Sequence, residues 1–396
     1  PMDTVVRHTL LSIHNKQTIR TEDQTYDYAE WFHLVVAAPQ KADKIPIFKV
    51  NNPRIQPRFD EKMENRTTFS FSGIKSHLEW INQNADQASE IEAQKRNQFQ
   101  RDIVNLRRNI RAYTQLKNTL NVENVSQPTA LFMDYLKDLP KARKLINDPE
   151  AFTENEALNH RVRYYFEVFR YMHEEALFNV VPNGENDWIS LGEAALQGLN
   201  GKPVGNIPIL YSKMIQTLIQ ENPTQFNKTA DALWAHYTTH FPQYMNRVKA
   251  EYMFQKINPF YWQMIAFVSV MVMVILFWLI KNEKWLTTTR YVYIVTFITY
   301  TLALGIRMWI QNRPPVTNLY SSAIFIGWVA SLLCVLMDRK GRRGIMLLMG
   351  ALVSFGTLII AHHLAIQGDT MEMMRAVLDS NFWLSKLRSL IFYLDQ

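Results

Sequence analysis

The chain has 396 residues, a formal net charge of +7 and a hydrophobic fraction of 47%, which allows two or more domains. Its single cysteine, Cys334, excludes an intrachain disulfide, a Cys-x-x-Cys redox pair and covalent haem on a Cys-x-x-Cys-His motif, and leaves a zinc site only histidines and carboxylates. The basic balance suits a nucleic-acid binder or a membrane protein. Its concentration in short loops beside apolar runs decides for the membrane and against nucleic acid.

Two regimes follow one another. Residues 1–255 are polar and charged and read as a water-soluble, mostly helical domain. Tyr26 to Val36 has the pattern of a short amphipathic helix around Trp31, Phe32 and Leu34. Ile45 to Val50 reads as an edge strand, because Pro46 lacks a donor, and the alternating Thr68 to Ser72 is a partner for it. From Asp86 to Leu120 a narrow stripe of Ile103, Leu106, Ile110, Tyr113, Leu116 and Leu120 predicts one long helix. That stripe suits a helical hairpin within its own domain better than a partner-binding coiled coil. Glu154 to Phe178 predicts another helix, Pro182 to Trp188 a turn with an exposed aromatic, and Asn222-Pro223 a break. Asn227 to Lys256 then predicts a helix running toward the membrane, with His236 and His240 four apart on one face. A metal site there would need a third ligand, so solvated or core-edge histidines are the better reading.

Residues 256–366 hold four apolar stretches, about 260–280, 291–311, 320–337 and 345–366. The first would extend about 31 Å as a helix, enough to cross a bilayer. Lys281, Lys284 and Arg290 lie between the first two, and Arg339, Lys340, Arg342 and Arg343 between the last two. The positive-inside rule puts both loops in the cytoplasm. The soluble domain, the turn at Arg313 to Ser322 and the tail 367–396 are then expected on the outer side. In that turn Pro314 and Pro315 remove two donors, and Thr317, Asn318 and Ser321 can cap a restarting helix. The fold class expected is mainly α: a helical extracytoplasmic domain followed by a four-span transmembrane bundle.

Arg307, followed by the run Arg313-Pro-Pro-Val-Thr-Asn-Leu-Tyr-Ser-Ser-Ala-Ile-Phe-Ile-Gly-Trp328, resembles the signature of the CcsA/ResC-type (system II) cytochrome c assembly proteins. A second match runs through Ala361-His362-His363-Leu364-Ala365, Gly368 to Glu372 and Leu378 to Leu384. A third, Pro1 to Arg7, resembles the opening of the extracytoplasmic region in large members. Only about the last third of the chain is densely matched. The resemblance implies haem b delivered to apocytochrome c at the outer face, with a ResB-like membrane subunit as partner. It implies the inner membrane of a bacterium, with the large domain periplasmic. The chain would then be a subunit of a haem-ligation machinery, positioning haem rather than performing acid–base chemistry. The family's outward-facing histidine after Ser-Asn-Phe-Trp-Leu is here Leu387, and its Trp-rich loop and later spans have no counterpart. A C-terminally truncated form, inactive alone, is therefore expected. Pro1 precedes the first Met, so an upstream piece is expected too.

His362 and His363 are the candidate haem-iron ligands, since neutral imidazole is a standard axial ligand and a histidine at membrane depth is costly. Adjacent residues point about 100° apart on a helix, so only one can face one iron. The residues alone leave open an interfacial histidine bonded to a carbonyl or water. Arg307 and Arg313 are candidates to hold haem propionates, with lipid-phosphate anchoring the alternative. Trp328 and Trp383 could stack on a porphyrin edge, although tryptophans of the interfacial belt are commoner. The alternative function is a membrane-anchored scaffold, without enzymatic activity, that docks apocytochrome or the ResB-like subunit.

Overall fold

The computed structural model describes residues 2–21, 24–59, 66–122, 125–147, 156–184, 187–338 and 344–364. It is mainly helical and forms two compact units, Met2–Pro242 and Gln243 onward.

The first unit opens with α1 (Met2–His14), a hairpin of β1 (Thr18–Arg20) and β2 (Thr25–Asp27), and α2 (Tyr28–Ala37). Asp27 starts α2 by accepting from the Ala29 and Glu30 amides, while Glu30 accepts from the Asp27 amide. This reciprocal cap is the reason the helix begins two residues later than its apolar pattern. Arg7 of α1 donates to Asp3 and to the Tyr28 hydroxyl, each at 3.1 Å, and so ties α1 to α2. A one-turn helix, α3 (Pro39–Ala42), leads into β3 (Pro46–Lys49). After a 3₁₀ turn at Gln56–Arg58, β4 (Thr68–Ser70) pairs antiparallel with β3, as expected, with an irregularity between Pro46 and Phe48. The proline, lacking a donor, lies beside that irregularity.

Helices α4 (Phe71–Lys75), α5 (Leu78–Ser89) and α6 (Gln98–Asn118) follow. The single helix expected over Asp86 to Leu120 is thus two helices. Asn97 caps α6 by accepting from Gln100 N while its own backbone amide donates to Gln100 Oε1, so the chain restarts there. The apolar stripe is buried along its whole length, and α5 and α6 form a hairpin within the unit. At its centre Tyr113 stacks on Trp31 at 6.2 Å and meets Phe48 edge-on at 5.6 Å. Its hydroxyl donates to Asp43 Oδ1 at 2.8 Å, and Lys117 Nζ donates to Asp43 Oδ2 at 2.8 Å.

The rest of the unit comprises α7 (Pro128–Asn147), α8 (Glu156–Glu174), the hairpin β5 (Val181–Pro182) and β6 (Trp188–Ile189), α9 (Leu191–Leu199), α10 (Asn206–Ile219) and α11 (Pro223–His240). Phe132, Tyr135, Tyr165 and Phe169 form its second aromatic core, with Tyr135 and Phe169 4.9 Å apart and edge-on. Trp188 is half-buried against Tyr237 at 6.3 Å rather than exposed. The helix expected over Asn227 to Lys256 is broken at Phe241. Pro242 has no amide to continue α11 and instead begins α12 (Pro242–Ile257).

In the second unit, among the described residues, α12 is followed by four long apolar helices, α13 (Pro259–Ile280), α14 (Glu283–Gln311), α15 (Leu319–Met337) and α16 (Ile345–Leu364). All four are long and apolar enough to cross a membrane. α14 starts eight residues before the expected span, so Lys284 and Arg290 belong to the helix and the turn before it is only Lys281-Asn282. Asn282 caps that early start by accepting from Lys284 N at 3.0 Å. Arg290 Nε donates to Asp338 Oδ2 at 2.7 Å, joining the first turns of α14 to the end of α15.

Lipid is as apolar as leucine, so such helices associate through close packing and polar bonds rather than water exclusion. The interior of the bundle follows this rule. A Cβ on Gly350 would strike the Tyr293 hydroxyl and lie 2.7 Å from Cys334 Cβ, and one on Gly327 would strike Thr357 Oγ1. Small residues therefore let α15 and α16 approach. Ser354 Oγ donates to Gly327 O at 2.9 Å and Tyr300 OH to Ile324 O at 2.7 Å. Outward-facing Val272, Ile275, Val295, Leu302, Leu333 and Leu352 leave an apolar exterior.

Candidate functional site

The C-terminal ends of α14 and α16 and the N-terminal ends of α13 and α15 share one end of the bundle. Arg307 of α14 lies with its guanidinium 4.6 Å above the ring of Tyr320 of α15. His362 of α16 lies 6.2 Å from Tyr261 of α13, ring centre to ring centre. Between α14 and α15 the chain turns through Asn312, in the left-handed region at φ 52°, and the Pro314-Pro315 pair. Asn318 then restarts the helix by accepting from Ser321 N at 2.8 Å. This is the capped turn that the prolines and the Thr-Asn-x-x-Ser pattern predict.

The two arginines of the signature differ sharply in environment. Arg307 is 4% exposed, enclosed by the turn, and the space left beside it among Leu304, Pro314, Pro315 and Ser321 is about 10 Å³. That is about one water molecule. The cation–π contact of Arg307 with Tyr320 ties α14 to the start of α15. Arg313, six residues on, is exposed.

Both histidines are exposed on the last turn of α16, with rings 6.2 Å apart at 88°. The separation agrees with the 100° step of a helix, so one imidazole at most addresses a given ligand. His363 Nδ1 lies 3.0 Å from Ile359 O. With the proton on Nδ1 donated to that carbonyl, the Nε2 lone pair points outward, the tautomer in which histidines bind metal. His362 instead faces the Tyr261 ring.

Trp328 is not at this end. It follows Gly327, which Ser354 contacts, and His362 is eight residues beyond Ser354, about 12 Å further along the axis. Its indole donates to Thr301 Oγ1 at 2.9 Å and stacks between Phe297 and Phe325 at 5.9 and 5.7 Å. Trp328 therefore packs α15 against α14 at mid-depth. Trp383 lies outside the described residues. Its neighbours in the second stretch of resemblance, Gly368 to Leu384, lie outside them too.

In the first unit His236 and His240 stack at 4.3 Å, and His240 Nδ1 lies 2.9 Å from His236 O. No cluster of three or more potential metal ligands occurs among the described residues. Sequence reasoning missed the tyrosines: Tyr293 and Tyr300 are fully buried and bond across the bundle. A tyrosine within an apolar run carries a hydroxyl that must find a partner in lipid, and that signal was available.

Comparison of the chain with models of protein families, and with curated proteins, finds no match.

Proposed function

We propose that the protein is a membrane-anchored cytochrome c assembly factor of the CcsA type, which holds haem b for transfer to apocytochrome c. One observation carries this reading. Arg307, the proline turn with Arg313, and the histidine pair, which are residues of the resemblance, lie at the same end of the apolar helices. His363 fits an axial ligand, with its tautomer set by Ile359 O. Arg313, exposed beside the turn, fits a propionate partner, and Arg307 positions the turn from beneath. Bound haem is the cargo, and its vinyl groups supply the carbons to which apocytochrome thiols add. The chain's own part is to ligate and orient, so its contribution is proximity rather than proton transfer.

The positive-inside distribution of Lys281, Lys284 and Arg290, and of Arg339 to Arg343, supports a bacterial inner-membrane protein with the soluble unit on the periplasmic side. A ResB-like subunit and the lipid bilayer are the partners in this reading.

The test is spectroscopic. The full chain, produced with haem available and purified in nanodiscs, should show a Soret band that His363→Ala removes, while His362→Ala leaves it in place. A Soret band unaltered in both variants, or none in any preparation, sinks the reading. The second outcome favours a scaffold without haem.

A further inference from the structure

The helix before the first span is apolar on two sides, and the bundle covers one of them. Asn258, in the left-handed region at φ 49°, ends α12 as its amide donates to Phe254 O at 2.9 Å, and Pro259 starts α13. On one straight helix Phe254 and Phe260 would lie about 9 Å apart along the axis and on different faces. Here their rings meet edge-on at 5.8 Å, and both are buried in the core of the bundle. The chain therefore bends at Asn258 and seats α12 on the bundle through Phe254, with Ala250 one turn earlier on the same face.

The other side is open. Lys249, Tyr252, Met253, Lys256 and Ile257 follow the i, i+3, i+4, i+7, i+8 spacing of one helical stripe. Tyr252, Met253 and Ile257 are 49%, 51% and 53% exposed, the same degree as Val272 and Ile275 on the apolar exterior of α13, at 49% and 48%. Large apolar side chains grouped in this way mark a surface that meets something other than water. Along the chain the stripe runs directly into Tyr261 and Trp262, which open the outward surface of α13 and are the residue types of a membrane boundary. Lys256 stands only three residues before α13. A stripe so close to the start of a span meets the headgroup layer, which extends about 5–8 Å beyond the hydrocarbon on each side. Its charge fits an anionic layer. Glu251, the one carboxylate of α12, lies on the opposite face and accepts from Gln255. Lysine stems lie along apolar surface while the ammonium reaches outward.

We propose that the outward face of α12 lies in the headgroup layer of the bilayer and holds anionic phospholipid there, with Lys249 and Lys256 on the phosphate groups and Tyr252, Met253 and Ile257 on the upper acyl chains. The proposal rests on α13 crossing the membrane and not on haem, so its failure and that of the haem reading are separate.

The test places a nitrobenzoxadiazole fluorophore at Met253→Cys in a Cys334→Ser background of the full chain, in phosphatidylcholine nanodiscs. Cys334→Ala replaces Cys334→Ser should that variant fail to fold. Part of the lipid is exchanged for phosphatidylglycerol or phosphatidylcholine, each carrying a nitroxide at carbon 5 of one acyl chain. Both should quench the fluorophore, and phosphatidylglycerol should do so at a lower mole fraction, by about fivefold for each lysine. Lys256→Gln should remove about one such factor, and Lys249→Gln together with Lys256→Gln should leave the two lipids equal. The same fluorophore at Ile265→Cys, outward-facing on α13, shows that the quenchers reach the protein. Quenching at Ile265→Cys without any at Met253→Cys overturns the proposal. So does equal quenching by the two lipids in the unaltered stripe, or a preference that survives the double variant. A preference abolished by inorganic phosphate at constant ionic strength would assign the lysines to free phosphate and overturns it as well.

Discussion

The Asp43–Lys117 pair allows the sharpest quantitative test of the soluble unit. Lys117 is 4% exposed at its side chain and Asp43 13%, with Nζ and Oδ2 2.8 Å apart, and Tyr113 OH bonds the other carboxylate oxygen at 2.8 Å. Lys117→Met keeps most of the side-chain volume and removes the cation, leaving a buried carboxylate without its counter-ion. Breaking one partner of such a pair costs about 3–5 kcal/mol. In a unit of this size each kcal/mol moves the midpoint by about 2–4 °C, so the fall should be about 6–20 °C. Asp43→Asn alone should also destabilise, by stranding the ammonium. The double variant should recover most of the loss, because neither charge is then buried alone and the new amide oxygen still accepts from Tyr113. Thermal melts in nanodiscs give the midpoints, and hydrogen exchange of α6 amides shows where the loss falls. A single-variant cost below about 1 kcal/mol, typical of an exposed pair, or a double variant no more stable than either single one, would falsify this account.

Four further outcomes follow from other parts of the molecule. Gly350→Leu should separate α15 from α16, because its first added carbon meets the Tyr293 hydroxyl and Cys334; cysteine crosslinking across that interface should fall while Gly356→Leu, which meets nothing within 4 Å, leaves it intact. His14 has its pKa lowered, chiefly by burial and against the hydrogen bond to Ile47 O. The unfolded chain therefore takes up the proton first, and stability should decline as pH falls from about 6.5 toward the folded value. His14→Gln should flatten that part of a melting-temperature profile, and an unchanged slope refutes it. Asp138 has its pKa lowered, first by the Arg161 hydrogen bond at 2.7 Å. Its contribution is complete above about pH 4 and is lost as pH falls through the lower folded value, so Asp138→Asn should be relatively less sensitive to acid below pH ~4. Finally, protease added to intact spheroplasts should digest the polar half of the chain; digestion only after the cytosol is opened would overturn the orientation in the proposed function.

Much of the helical scaffold is legible locally. The apolar stripe of α6 is buried residue for residue, and four runs of membrane length emerge as helices because hydropathy is read over a window rather than from any single contact. The capped turn before α15 was equally plain, since Pro314, Pro315 and Asn318 act on their own backbone. Boundaries were less so. The break between α5 and α6, the break at Phe241 and the early start of α14 depend on single caps or prolines inside otherwise continuous patterns.

What the linear chain determined, then, is its partition into a charged helical part and an apolar four-helix part, because composition and periodicity act at short range. It also supplied the chemistry at the end of the bundle: two imidazoles that cannot share a target, and two guanidiniums. Only the tertiary structure decided which of these face outward. Arg307 is enclosed over Tyr320 while Arg313 is exposed, and Trp328 packs half a membrane away from His362. A cleft between α2 and the α10–α11 corner joins residues nearly two hundred positions apart. Burial and juxtaposition of that kind arise from how helices pack, and a side chain's type does not encode its neighbours.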